Sequence, residues 1–316
     1  MRILHTPRLT LRWFTARDAR FILKLLNDPD WIRNIGHRNV HTVRDARHWI
    51  DQRLVASYGR QGFGFWAVER RSDARLVGMC GLVQRDTLPH PDVGYALLPR
   101  YRGQGYAREA AQACLRYARE VLGLEEVWGV TAAHNVASGR VLTAIGLEDR
   151  GVQTFPGAWG DTRVFTWTAP AADATRDDRA RIDGLAGRFF RAFCNDDESA
   201  DAVLPALPHF FLPSAVINIG APDGTVTTTD LNGFIAPRAE LLSNGRLTGF
   251  REWEVESSTQ VDGAVAQRWL RYAKQGTLDG RPFEGRGTKA LQLVKTAHGW
   301  KIAALAWRDE PAPGPR

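Results

Sequence analysis

The chain has 316 residues, 44% apolar and 24% charged, with a formal net charge of +7. That length exceeds one typical domain and fits two, and the balance is globular rather than disordered or collagen-like. Three widely spaced cysteines, Cys80, Cys114 and Cys194, exclude a disulfide framework, and no apolar run approaches the ~18 residues of a membrane span.

The charge is uneven. Residues 1–170 hold 24 Lys/Arg against 16 Asp/Glu, and residues 171–316 hold 18 against 19. The basic excess therefore belongs to the first half. Its arginines are dispersed and carry no nucleic-acid motif, so a polyanionic cofactor and solvated surface account for it ahead of nucleic acid. The opening M-R-I-L-H-T-P-R-L-T-L-R has no apolar core of a signal peptide. This predicts a cytoplasmic protein.

In chain order, residues 9–13 alternate as a strand. Thr15 with Asp18 and Thr42 with Asp45 are capping-box signals. They predict helices running to Leu26 and to about Ser57, with a polar, aromatic loop over residues 31–38 between them. Residues 64–69 and 76–82 read as a hairpin.

The stretch D-V-G-Y-A-L-L-P-R-Y-R-G-Q-G-Y-A-R-E-A at 92–110 is the centre of the first half. Asp92 to Leu98 is an apolar run of strand length, closed by Pro99, which has no amide to donate. From Tyr106 to Leu122 apolar residues recur at spacings of three and four, predicting a helix. Between them, Arg100 to Gly105 makes a glycine-rich turn. A helix N-terminus offers unpaired amides and partial positive charge, and Gly103 and Gly105 let backbone approach a ligand closely. This is a phosphate or pyrophosphate site, with Arg100, Arg102 and Arg108 on its rim. An ordinary glycine-capped turn has the same local pattern. A strand at 126–132, a helix at 136–145 and strands at 147–154 and 162–168 follow.

The turn matches R-x-x-G-x-G/A, which resembles the acetyl-coenzyme A loop of GNAT-type N-acetyltransferases. T-P-R-L-T-L-R at 6–12, N-D-P-D-W-I-R-N-I-G at 27–36, T-V-R-D-A at 42–46 and H-N-V-A-S-G-R-V-L-T-A-I-G-L at 134–147 resemble landmarks of the RimJ/RimL-like branch. The resemblance covers residues 5–168. It implies an α/β fold with a mixed, mostly antiparallel sheet whose central strands splay apart. It further implies acetyl transfer from acetyl-coenzyme A to an amine by direct attack in a ternary complex. The cofactor set it implies is Leu97, Leu98, Arg100, Arg102, Gly103, Gln104, Gly105, Tyr106, Ala107 and Asn135. The amide near Leu97 would polarise the thioester carbonyl. The resemblance makes Asn135 a pantetheine contact, and a helix N-cap, which Asn supplies equally well, is the alternative, the two being compatible.

Ser138, one turn inside the following helix, would face the sulfur and protonate the leaving thiolate. The general base is Asp92 in the first instance, where relatives often carry Glu, with Glu69, His90 and Glu148 as alternatives. The acceptor wall is the 31–41 loop, with Trp31 and Arg38 as substrate residues and Arg33 and His41 beside them. The acceptor is a small-molecule or peptide amine, the two remaining open. His37, His41, His48 and His134 lack metal-ligand spacing, so no metal is expected.

Residues 169–175 are small and proline-bearing and predict a linker. Residues 176–195 form an amphipathic helical pattern, and the charge run at 196–198 predicts a turn. An apolar, proline-broken helix or turn at 203–211 follows, then a hairpin at 215–229 around Pro222-Asp-Gly224 and a helix at 231–243. Long strands at 249–257, 264–274, 284–297 and 300–309 complete a curled antiparallel sheet, an α+β order. G-R-G-T-K-A-L-Q-L-V-K and G-W-K-I-A-A-L-A-W-R-D-E resemble the nuclear-transport-factor-2-like (SnoaL-like) cone. That resemblance implies a cone-shaped domain over 176–311, ahead of a disordered tail at 312–316. It implies a pocket whose mouth Tyr272, Trp269, His209 and Arg271 would line, and a non-catalytic ligand-binding or homodimerising role. Two other readings stand beside this one. The first half is a catalytically inactive coenzyme A-binding regulator, or the cone is a second enzyme of isomerase or hydrolase type.

Overall fold

The strands of the first half assemble into one eight-stranded sheet. They are β1 (Arg2–His5), β2 (Leu9–Arg12), β3 (Phe65–Arg70), β4 (Arg75–Val83), β5 (Asp92–Leu97), β6 (Glu126–Ala132), β7 (Glu148–Phe155) and β8 (Gly160–Thr168), in the order β1-β2-β3-β4-β5-β6-β8-β7. Neighbours pair antiparallel except β5 and β6, which are parallel. The computed structural model describes residues 2–155, 160–169, 177–195, 204–221 and 223–310. By its contacts the chain divides into two compact units, residues 1–174 and 175–316. Most of the expected linker (170–175), the charge run at 196–198, Pro222 and the tail at 312–316 lie outside the described residues.

Both capping boxes form in the first unit. Thr15 opens a short 3-10 turn that leads into α1 (Ala19–Leu26), and Thr42 caps α3 (Val43–Trp49). The chain then passes through a π-helical stretch (Ile50–Val55) into α4 (Ala56–Gln61), which Gly62 ends at φ 74°. The expected loop at 31–38 is instead largely helical, as α2 (Pro29–Ile35). Asp28 accepts hydrogen bonds from the amides of Asp30 and Trp31, and Pro29 stands at the first helical position. Both features favour a helix start. On the sheet, α5 (Tyr106–Tyr117) lays Ala110, Ala111, Ala113 and Cys114 against β4 and β5. These small side chains let the helix approach closely. Finally, α6 (Val136–Ala144) packs beside β6 and β8.

The second unit is mostly sheet. It contains α7 (Asp178–Arg191), α8 (Leu207–Phe210), β9 (Phe211–Gly220), β10 (Val226–Thr229), α9 (Leu231–Ser243), β11 (Leu247–Asp262), β12 (Val265–Leu278), β13 (Arg281–Thr296) and β14 (Gly299–Asp309). The strand order is β10-β9-β14-β13-β12-β11. The sheet is not wholly antiparallel as expected, because β9 lies parallel to β14. Phe189 meets Phe211 at a ring separation of 6.1 Å, Phe193 meets Phe234 at 5.8 Å, and Trp307 joins Phe234 at 5.7 Å. This aromatic cluster is the core under the helices. Among the described residues, no helix of either unit is long and apolar enough to cross a membrane.

Candidate active site

The eight-stranded sheet comes apart at one seam. β5 pairs β4 along its whole length, from Asp92↔Val83 to Leu97↔Gly78. It pairs β6 only at Asp92↔Trp128, where the Trp128 amide donates to Pro91 O at 2.9 Å. Bonded positions alternate along an antiparallel pair. The Leu98 amide donates to Val77 O at 3.0 Å. That register turns Ala96 and Gly94 toward β4 as well, and turns the amides of Tyr95 and Leu97 toward the gap. The strand edge there is unfinished, and a polar edge without a partner is costly to bury but ready to pair.

The glycine turn sits at the end of the same strand. Gly103 and Gly105 have φ of 72° and 79°, a region that favours glycine. A Cβ placed on Gly103 would meet nothing within 4 Å. Among the described residues no side chain caps α5, so its first amides face outward from the exposed turn. Arg8 reaches this turn across the sequence. Its Nη1 donates to Gln104 O at 2.9 Å, its guanidinium lies 4.7 Å from the centre of the Tyr106 ring, and Glu109 holds its Nε at 2.6 Å. Nothing local in the sequence announces Arg8, which lies 96 residues from Gln104.

Beside the seam is a cavity of about 1320 Å³ that reaches from α2 and α4 to β5, β6 and α6. Of the four candidate bases, Asp92 alone lines it. Asp92 is 1% exposed, and Arg85 grips both carboxylate oxygens, Nε to Oδ1 at 2.6 Å and Nη2 to Oδ2 at 3.2 Å. Burial pushes the Asp92 carboxyl above the ordinary carboxylate range, and the Arg85 charge opposes this without cancelling it. Glu69 is instead paired with Arg12, His90 with Glu126, and Glu148 with Arg150.

Ser138 has a partner 43 residues away in the sequence. The Tyr95 hydroxyl donates to Ser138 O at 2.8 Å and lies 3.1 Å from Ser138 Oγ. Burial raises the Tyr95 phenol well above its ordinary value, so it stays protonated. Asn135 caps α6, its Oδ1 accepting from the Ser138 amide at 3.2 Å, and it also lines the cavity. His134 lines the cavity next to it, with Nε2 3.1 Å from Asn34 Oδ1.

Several expected cofactor residues are engaged elsewhere. The Arg102 side chain does not extend over the turn. Its guanidinium pairs with Asp28 and Asp30 at the start of α2, and its Nε donates to Leu97 O at 3.0 Å. It is a strut between the turn and the cavity wall. The Leu98 amide belongs to the β4 ladder. Arg100 is exposed and lies over the Tyr101 ring at 4.8 Å, while Gln104 Nε2 donates to Arg100 O. Tyr106 is buried, and Ala107 stands in the uncapped first turn. Trp31 is 6% exposed and forms cavity wall from within α2, and Arg38 lies at the exposed rim.

In the second unit polar side chains close on each other. Lys289 pairs with Glu252 at 2.5 Å and sits 3.4 Å from the centre of the Tyr272 ring. The Tyr272 hydroxyl donates to Asp309 at 2.5 Å, and Lys274 pairs with the same carboxylate at 2.7 Å. Burial pushes Lys289 below the usual lysine range against the pull of Glu252. The expected mouth residues do not converge. Leu270 and Tyr272 are buried, whereas Trp269, 44% exposed, and Arg271 lie on the opposite face of β12. Side chains alternate along a strand, so 269 and 271 cannot share a face with 272. His209 lies by Lys301, whose Nζ donates to its carbonyl oxygen at 2.5 Å.

The sequence model of the family described as acetyltransferase (GNAT) domain matches residues 8–148. The chain is 31% identical over 153 residues to the uncharacterized N-acetyltransferase YoaA of Bacillus subtilis (strain 168), which spans 48% of this chain and 85% of that protein. It is 32% identical over 160 residues to the FsC-acetyl coenzyme A-N(2)-transacetylase of Aspergillus fumigatus, over 48% of this chain and 66% of that one. Among solved structures, a GNAT-family acetyltransferase from Bacillus anthracis superposes with a TM-score of 0.45 at 24% identity, over 53% of this chain and 98% of its own.

Proposed function

The chain belongs to the GNAT acetyltransferase family through its first unit, and from that premise we propose that it moves acetyl to a primary amine by direct attack in a ternary complex. It is an acyltransferase, and acetyl-coenzyme A is its cosubstrate. The observation that carries the finer reading is the unfinished edge of β5, where the Tyr95 and Leu97 amides face a gap that opens on the cavity.

The residues present fit the cosubstrate. The open turn at Gly103, Gln104 and Gly105, with the first amides of α5, suits a pyrophosphate. The Leu97 amide serves as donor to the thioester oxygen as charge develops there. In the cavity Asp92, through a water, takes the proton that the attacking amine gives up as its bond to carbon forms. The carbon–sulfur bond breaks, and the thiolate takes the Ser138 hydroxyl proton as Ser138 regains one from water in the cavity, while Tyr95 holds the hydroxyl. Asn135 orients the pantetheine arm.

In this reading residues 1–168 form the transferase domain, joined through 169–175 to a nuclear-transport-factor-2-like (SnoaL-like) cone over 176–311. The cone is a ligand-binding or homodimerising module without catalysis, and the protein is cytoplasmic. Support for a non-catalytic second unit comes from Lys274 and Lys289, each of which pairs with a carboxylate. A second reading, a coenzyme A-binding regulator without transfer, is favoured by one observation: Arg85 engages both oxygens of Asp92.

A thiol-release assay with acetyl-coenzyme A separates the two. The panel holds N-terminal peptides, polyamines and small amines, with Gly103→Glu as control. Acceptor-dependent release that disappears in the variant supports transfer. Stabilisation by coenzyme A with no release for any acceptor supports the regulator.

A further inference from the structure

The cavity beside β5 holds more positive charge than acetyl transfer uses. Arg38, Arg53, Arg60 and Arg85 all line it. Arg85 is taken by Asp92. Arg38 donates only to main-chain oxygens, Nη1 to His37 O and Nη2 to Ile35 O, both at 3.2 Å. Among the described residues no carboxylate pairs with Arg38, Arg53 or Arg60.

The same three arginines also line an adjoining pocket of about 730 Å³, together with Arg44 and the carboxylate of Asp45. The wall is not purely cationic, since Asp86 and Asp161 also face the larger cavity. The unpaired charge is nevertheless concentrated at the Arg38–Arg53 end. Arg38, Arg53 and Arg60 are exposed at the rim, and like charges gathered there repel one another until an anion joins them. Guanidinium forks match carboxylate and phosphate oxygens in particular.

We propose that the acceptor is an amine that also bears a phosphate or carboxylate, held by Arg38 and Arg53 while its amino group reaches the seam beside Asp92. This rests on the reading of the first unit as an amine acetyltransferase. It excludes polyamines as preferred acceptors, because a second cationic group would face the arginines.

The test compares matched amines: O-phosphoethanolamine with ethanolamine, β-alanine with ethylamine, and putrescine as the cationic member. Thiol release gives kcat/KM, and heat stabilisation in the presence of coenzyme A gives binding without requiring transfer. One anionic member is expected to exceed its neutral partner by about 10-fold or more, as for a charge-assisted contact. The ratio should fall toward one in an Arg38→Gln/Arg53→Gln variant that coenzyme A still stabilises. It should also shrink as ionic strength rises. Whichever of the phosphate and carboxylate members has the larger ratio identifies the anion. If no amine is acetylated, but an anionic member stabilises the wild type and not the variant, the transfer reading fails and the anion site stands. Neutral or cationic amines that react and bind as well as their anionic partners would overturn the proposal.

Discussion

The two sheets differ in how completely they are bonded. In the second unit β12 and β13 pair without a break from Val265↔Val294 to Leu278↔Arg281, and the buried charges nearby answer each other. In the first unit the ladder stops after one bridge between β5 and β6, and the first turn of α5 has no cap. Closed ladders and matched ions make a stable scaffold. Open amides and unmatched guanidiniums make a place for a ligand. The open edge beside β5 is where the cosubstrate is proposed to lie.

Four substitutions sharpen or break that contrast. Gly103→Glu places a side chain and a negative charge where φ favours glycine and where the pyrophosphate is proposed to lie. Loss of coenzyme A affinity on the order of 10³ is expected by calorimetric titration, equivalent to about 4 kcal/mol. Glu252→Ala strands the buried Lys289 ammonium and should destabilise the second unit by about 3–5 kcal/mol in urea unfolding. Coenzyme A affinity should not change. Asp92→Asn should lower kcat/KM about 100-fold. Because the Asp92 carboxyl lies above the ordinary carboxylate range, wild-type activity rises as pH climbs through that raised value and the base loses its proton. The variant should lack this rise. Tyr95→Phe leaves Ser138 in place without its hydroxyl partner, and a loss of under about tenfold in kcat is expected from one hydrogen bond.

What the sequence made legible was local. The glycine turn, the long helix after it and both capping boxes follow from neighbours within a few residues, and so they were readable. The start of α2 was equally local, in Asp28-Pro29, but the aromatic and polar residues that follow disguised it as loop. The rest depends on contacts between distant residues. Arg102 looked like a phosphate ligand because its partners, Asp28 and Asp30, stand more than seventy residues away. The Tyr95–Ser138 contact spans 43 residues, and the parallel pairing of β9 with β14 joins nearly opposite ends of the second unit. Trp269 and Arg271 failed for a simpler reason, since strand alternation alone separates them from Tyr272.

The most direct measurement is amide hydrogen exchange with and without coenzyme A. The Tyr95 and Leu97 amides are predicted to exchange quickly in the free protein and to slow at least about tenfold on binding, while amides of the β12–β13 ladder stay unchanged. Slow exchange at Tyr95 and Leu97 in the free protein, or no added protection when coenzyme A is bound, would contradict an open strand edge as the cosubstrate site.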